Sequence, residues 1–312
     1  MASTAPPQSE EELKQQIQNG RMIESVEEMT SGYKEALKKP LLVNADIELL
    51  SAPVLLKQAM NAPSLDARNA ELSTIQDEVG HAYISHRLLR NLGEDTHEFI
   101  YERDPHEWRS GYAFELELQD FAEQTVFHAF GDQAGLNLLS DIHENTSYGP
   151  WKRALVKVEK EEQFHIRHGR TWFRRLASKS ESTKQRLQEA AEWMFPFWLE
   201  LFGLPDNLKT HTEQFEYKIK GKTNDELRQA WMDEIVPLCE ENDIDVPAHY
   251  DEEAEEYVLE FDWPVAYDTE ERRWRYDDPV SWDDVLDRWR EGGPKRDEYI
   301  EQIQGMGPVQ TQ

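Results

Sequence analysis

Apolar positions recur along this chain at the spacing of helices, and on several stripes an acidic or imidazole side chain breaks the apolar face. After Pro40, Leu41, Ala45, Leu49, Ala52 and Leu55 fall on one stripe that Glu48 interrupts. Pro63-Ser64 opens a long helix over about 65–92 that Gly93 closes. In it, Ile75, Val79 and Ala82 form a stripe flanked by Glu78 and His81. A further helix is expected from near Tyr112 to about Asp141, with Thr125, His128, Asp132, Gly135 and Leu139 on one face. Ser147-Tyr148-Gly149-Pro150 is a turn. Beyond it, Leu155 and Val158 lead at helical spacing to Glu162 and His165, in a helix ending near Ser178.

The remaining pattern surrounds these rods. Ser9-Glu10-Glu11-Glu12 resembles a capping box for a short helix ending near Gly20, and a second helix is expected over Met29 to Lys38. Leu187 to Phe202 reads as an aromatic helix that Pro196 should kink or split. Asn207 to Lys220 reads as another helix, and Thr223-Asn224-Asp225-Glu226 caps one running to Cys239. Between Ile244 and Trp263, alternation at Tyr257, Leu259 and Phe261 predicts a small β-hairpin. Ser281 opens a last helix to about Arg290, broken by Gly292-Gly293-Pro294, and the tail from Gly305 is expected to be loose. The expected organisation is a flexible segment over 1–24, disordered at Met1 to Gln8, a helical domain over 25–240, and an extension over 241–312.

Composition narrows the function. Asp and Glu total 63 against 34 Lys and Arg, a formal charge of −29. That argues against a nucleic-acid binder, which needs a basic footprint. The acidic residues are dispersed, which fits a protein kept soluble at high salt, and a salt-loving source is expected. A single cysteine, Cys239, excludes an internal disulfide. No apolar run approaches the length of a membrane span, and Met1 to Glu12 lacks a signal-peptide core, so a cytoplasmic location is expected.

The chemistry lies in the interrupted stripes. Glu78 and His81, and again Glu162 and His165, are three residues apart on a helix and so project from one side. With 41 Glu and 10 His, about one Glu-x-x-His is expected by chance, and three occur. Glu94 and His97 follow the stop at Gly93 in a polar stretch and read as surface. The other two pairs sit by inward faces, where a Glu is costly unless paired or metal-bound. Singly, each reads as a buried Glu–His ion pair. Together, and with Glu48 and Asp132 as carboxylates from two further helices, they make the ligand set of a ferritin-like four-helix bundle holding two metal ions. The fold expected is therefore all-α, with extra helices around that bundle.

At these residues the chain resembles a known family, the catalytic A subunits of ring 1,2-phenylacetyl-CoA epoxidases, which are multicomponent di-iron monooxygenases. The matching segments are Gln76-Asp77-Glu78-Val79-Gly80-His81, Ser147-Tyr148-Gly149-Pro150, Lys160-Glu161-Glu162-Gln163-Phe164-His165 and Lys218-Ile219-Lys220. They lead into Thr223-Asn224-Asp225-Glu226-Leu227-Arg228-Gln229, a run that metal chemistry does not dictate. The resemblance covers about residues 25 to 265. It implies metal ligation and catalysis at Glu48, Glu78, His81, Asp132, Glu162 and His165. Counting forward from His81 lands on Asp132 and counting back from Glu162 lands on Gln133; Asp132 is preferred because an amide is the poorer ligand for a hard ion. It further implies coenzyme A contacts near Lys39, Arg109, Lys218 and Lys220, although cations at a helix C-terminus explain the last two equally well.

The resemblance implies two iron ions in this chain. The chain has neither an iron–sulfur cysteine set nor a Gly-x-Gly-x-x-Gly stretch. NADPH, FAD and an iron–sulfur cluster would belong to a separate reductase. A structurally similar non-catalytic subunit and a small bridging subunit are implied as partners, and phenylacetyl-CoA and O2 as substrates. The competing expectations are that non-catalytic scaffold itself, an iron-storage protein of the same fold, a relative acting on another aryl-CoA, and an interaction module with buried Glu–His pairs.

Overall fold

In the computed structural model, residues 9–209 and 213–306 are described. The first helix, α1 (Glu10–Gln18), begins where the Ser9 side chain accepts from the Glu12 amide. Leu13 and Ile17 are buried, so this part of the segment expected to be flexible is packed, while residues 1–8 lie outside the described residues. Helix α2 (Ser31–Met60) runs unbroken through Pro40 and Pro53, where two helices were expected. Tyr33, Leu37, Leu41, Ala45 and Glu48 form one buried face across Pro40. That continuous packing offsets the roughly 3 kcal/mol a helical proline costs. Helix α3 (Leu65–Asn91), capped by Ser64, lies along α2.

The next rod starts later than the pattern suggested. Tyr112–Glu115 is a single 3-10 turn, and the helix begins after Asp120, whose side chain accepts from the Ala122 and Glu123 amides. Helix α4 (Phe121–Val126) passes through a π-helical segment (Phe127–Asp132) into α5 (Gln133–Asn145). Helix α6 (Gly149–Lys179) packs against this rod at Gly169, where a Cβ would lie 2.7 Å from the Ala129 backbone nitrogen. Helix α7 (Glu181–Leu201) is unbroken at Pro196. The proline leaves the Glu192 carbonyl without its helical donor, and the Tyr276 hydroxyl sits 3.5 Å from that oxygen.

The helix expected over Asn207 to Lys220 is a single turn, α8 (Glu213–Glu216), with 210–212 outside the described residues. Lys218 has φ 47°, and the Ile219 and Lys218 amides donate back to the Gln214 and Phe215 carbonyls, which stops the helix there. Helix α9 (Asn224–Glu240) opens with the reciprocal Thr223–Glu226 capping box.

Two antiparallel hairpins follow, β1 (Ala248–Asp251) with β2 (Glu256–Leu259) and β3 (Val265–Asp268) with β4 (Arg273–Pro279), where one was expected. Helices α10 (Trp282–Glu291) and α11 (Arg296–Gly305) end the described chain. Helix α11 is anchored by Arg296, whose buried guanidinium reaches Glu115 at 2.7 Å. The first core joins the aromatic residues of α7 to Trp231, Trp274 and Ile300, and the second joins α1 and the start of α2 to Trp151 and Tyr217. Among the described residues no helix is long and apolar enough to cross a membrane.

Candidate metal centre

Where α2, α3, α6 and the π segment meet, polar side chains replace the apolar core. One ligand atom from each of Glu48, Glu78, His81 and Glu162 lies within 4.8 Å of the others, and all four residues are buried. Nδ1 of His81 is 3.2 Å from Glu162 and 3.5 Å from Glu48. Nδ1 of His165 is 3.2 Å from Glu78 and 3.6 Å from Glu162. Glu162 thus stands between two imidazoles whose ring centres are 6.1 Å apart.

The two Glu-x-x-His helices support each other crosswise. Nε2 of His81 meets Glu161 of α6 at 3.1 Å, and Nε2 of His165 meets Asp77 of α3 at 3.4 Å. A carboxylate on Nε2 holds a proton there, so that Nδ1, which faces the cluster, is the nitrogen that would bind a metal once its own proton is lost. Both Nδ1 atoms are buried and lack a hydrogen-bond partner. Each faces carboxylates at 3.2–3.6 Å, and two ring nitrogens turned toward three buried carboxylates are a donor set that fits a bound cation.

The electrostatics agree. Burial, with repulsion from Glu162 and Glu48, pushes Glu78 well above the usual carboxylate range. Burial alone would lower both histidines, but the adjoining carboxylates outweigh it and hold His81 at about 11 and His165 at about 12. Glu162, opposed by burial but flanked by both imidazoles, is held down to about 2. Metal ions would replace a proton on each of His81 and His165 and satisfy the same carboxylates.

Asp132 is buried at the end of the π segment, next to this set rather than within it. Its Oδ2 accepts from His128 Nδ1 at 2.8 Å, and it feels the charges of His165 and Glu162. His128 Nε2 reaches Glu71 at 2.7 Å, and His168 Nε2 reaches the other Glu71 oxygen at 2.9 Å. Gln124 also donates to Glu71. The buried Glu71 therefore orients His128, which in turn orients Asp132. Gln133 faces away, bonded to Asn137 and Arg170.

A cavity of about 280 Å³ opens beside Glu48. Phe114, Leu138, Ile142 and Leu227 line its walls, and Lys39, Lys209 and Lys220 line it as well. Lys209 and Lys220 both donate to Asn224 Oδ1, at 2.9 and 3.1 Å. Burial and the neighbouring Lys209 charge push Lys220 down to about 8. Lys218 and Arg109 lie elsewhere. Lys218 turns toward α1 and donates to the Gln18 carbonyl, and Arg109 lines a separate cavity with Trp108 and Tyr112.

Several residues of this centre had no role in the sequence reading. Asp77 and Glu161 were visible as the acidic residue immediately before each ligand-bearing Glu. Glu71 stands seven positions, two helical turns, before Glu78 on the same face. Lys209 carried no signal, and nothing in the run holding Asn224 showed that Lys209, 15 positions earlier, would reach its side chain.

A helix bundle whose interior carries a carboxylate–histidine cluster from two Glu-x-x-His helices is ferritin-like, and that cluster could hold a metal ion. The family model described as phenylacetic acid catabolic protein matches residues 9–278, and the chain belongs to that family. It is 33% identical over 265 residues to the A subunit of the 1,2-phenylacetyl-CoA epoxidase of Escherichia coli (strain K12), covering 81% of this chain and 84% of the relative. It is 27% identical over 192 residues to the C subunit of the same enzyme, covering 60% of this chain and 74% of that relative.

Proposed function

We propose that this chain is the oxygenase subunit of a 1,2-phenylacetyl-CoA epoxidase in phenylacetate catabolism. Glu48, Glu78, His81, Asp132, Glu162 and His165 are its ligands for two irons. The observation that carries the reading is the buried convergence of Glu48, Glu78, His81 and Glu162 beside a cavity with lysines in its lining. A scaffold subunit without metal would have no use for two inward-facing imidazoles gathered with three buried carboxylates.

When bound, the irons supply reductive activation of O2, with one atom entering the aromatic ring and the other leaving as water after two electrons and two protons. The chain does the rest. Its apolar cavity walls exclude water from the acyl group beside Glu48. Gly135, with open space beyond it, leaves room for the aromatic ring. Lys39, Lys209 and Lys220 hold coenzyme A phosphates, and an anion there relieves the repulsion between Lys209 and Lys220. Glu161 and Asp77 keep the histidine protons on the outer nitrogens.

Electrons come from a separate reductase carrying FAD and an iron–sulfur cluster and drawing on NADPH. A sister subunit of similar fold and a small bridging subunit complete the assembly. The dispersed acidic surface and the lack of a membrane-spanning helix among the described residues suit a cytoplasmic enzyme from a salt-rich cell.

The test is to reconstitute the purified chain anaerobically with Fe(II), measure bound iron, and supply reductase, NADPH, O2 and phenylacetyl-CoA. About two irons per chain and NADPH-dependent ring oxygenation are expected. A protein that binds no iron, or binds it without oxygenating any aryl-CoA, overturns the reading.

A further inference from the structure

A second cavity, of about 450 Å³, lies between α2, α3 and α11. That volume falls within the range of small-molecule sites. Leu49, Leu56, Ile75, Val79 and Ile303 make its walls apolar. His86 also lines it, is 4% exposed, and has no hydrogen-bond partner on either ring nitrogen. Arg87 and Arg90 border the same space. In a chain of net charge −29, neither is paired with a carboxylate among the described residues. Arg90 spends two of its donors on the Thr96 hydroxyl, and Arg87 stands exposed.

We propose that this cavity is a second ligand site, distinct from the metal cluster and its neighbouring cavity, and that it takes an apolar-bodied monocarboxylate. The hydrocarbon body fills the space between α2 and α3. The carboxylate accepts from His86 and from the Arg87 and Arg90 guanidiniums, which favour that geometry. Burial, with the Arg103 and Arg90 charges, pushes His86 down to about 4, so it meets the acid as a neutral N–H donor. A neutral or cationic ligand would leave the arginines unanswered, and a polar body would be desolvated against apolar walls.

The experiment is calorimetric titration of the full-length, iron-loaded chain with phenylacetate and with octanoate at fixed ionic strength. The two acids share a heavy-atom count and differ in being aromatic or aliphatic. Saturable binding of either is expected, and the stronger of the two identifies the preferred body. Arg87→Glu and His86→Leu should each weaken binding about tenfold or more. Phenylacetamide should bind far less well than phenylacetate, and saturating phenylacetyl-CoA should leave the acid's affinity unchanged. Arg87 is exposed, so its variant keeps the test open if His86→Leu fails to fold. The proposal falls if neither acid binds saturably, if the amide binds equally, or if both folded variants bind as the parent does. It also falls if phenylacetyl-CoA competes, which would place the acid in the substrate cavity. Expulsion of the acid when a sister subunit assembles would make this face a protein interface and would equally overturn it.

Discussion

Replacing Glu78 by Gln distinguishes a metal cage from a buried ion-pair network. In the metal-free protein burial and the charges of Glu162 and Glu48 push Glu78 well above the usual carboxylate range, so its ionised form is disfavoured there. Glu78→Gln removes that disfavoured charge and keeps the shape, and the expected cost is within about 1 kcal/mol. Had Glu78 been an ionised partner of His165, breaking that buried pair would cost about 3–5 kcal/mol. Unfolding entropy scales with length, giving about 0.65 kcal/mol per kelvin for 312 residues. The two cases therefore predict Tm losses of about 1–2 °C and about 5–8 °C.

Metal supplies the second axis of the same experiment. Fe(II) at about a hundred times its Kd stabilises the parent by about 2.7 kcal/mol, or about 4 °C. The variant lacks a carboxylate in the cluster and should show almost none of this rise. Differential scanning calorimetry on metal-free and anaerobically loaded samples reads both effects. A metal-free variant that loses about 5 °C or more, together with a parent whose Tm does not respond to Fe(II), would refute the metal-cage reasoning.

Other perturbations follow from the same geometry. Glu161→Ala and Asp77→Ala should each lower iron affinity by about ten- to a hundredfold, with the larger effect at Glu161, whose contact with His81 is 3.1 Å against 3.4 Å for Asp77 and His165; competition with a chromogenic chelator measures it. His81 and His165, held at about 11 and 12, keep their protons at pH 7 and must lose them to bind metal. Iron affinity should therefore fall as pH falls, by up to about tenfold per unit for each proton displaced. Calorimetry in buffers of different ionisation heat counts those protons, and fewer than one released at pH 7 contradicts the assignment. The Lys209→Ala, Lys220→Ala double variant should raise KM for the coenzyme A thioester about tenfold or more with kcat nearly unchanged, while Lys218→Ala should leave both alone. Gly169→Ala places a methyl against the Ala129 backbone and should cost about 1–3 kcal/mol, seen as a lower Tm.

What the sequence revealed and what it hid divide along physical lines. The rods carrying Glu48, Glu78 and Glu162 were legible because a 3.6-residue period survives wherever one face is buried. The two Glu-x-x-His pairs were legible because their spacing is local. Pro40 and Pro196 were read as breaks because a proline's cost is local. What offsets it is long-range, packing along α2 in one case and the burial of Trp193, Phe195, Phe197 and Trp198 around Pro196 in the other. The second hairpin and α11 were missed for a similar reason, since Trp274, Ile300 and Arg296 find their partners in Trp193, the aromatic core and Glu115.

The polar network behind the cluster shows this limit most clearly. Glu71, His128 and His168 come from three different helical segments, and no spacing rule links them. Each would be an expensive buried group alone, yet together they leave neither His128 nor Glu71 without a hydrogen-bond partner. The π segment makes the network possible. Its wider turn carries both His128 and Asp132, and Gly169 allows α6 close enough for His168 to reach Glu71. Local periodicity thus places the groups that face the metal position, while tertiary packing between distant segments decides how rigidly they are held.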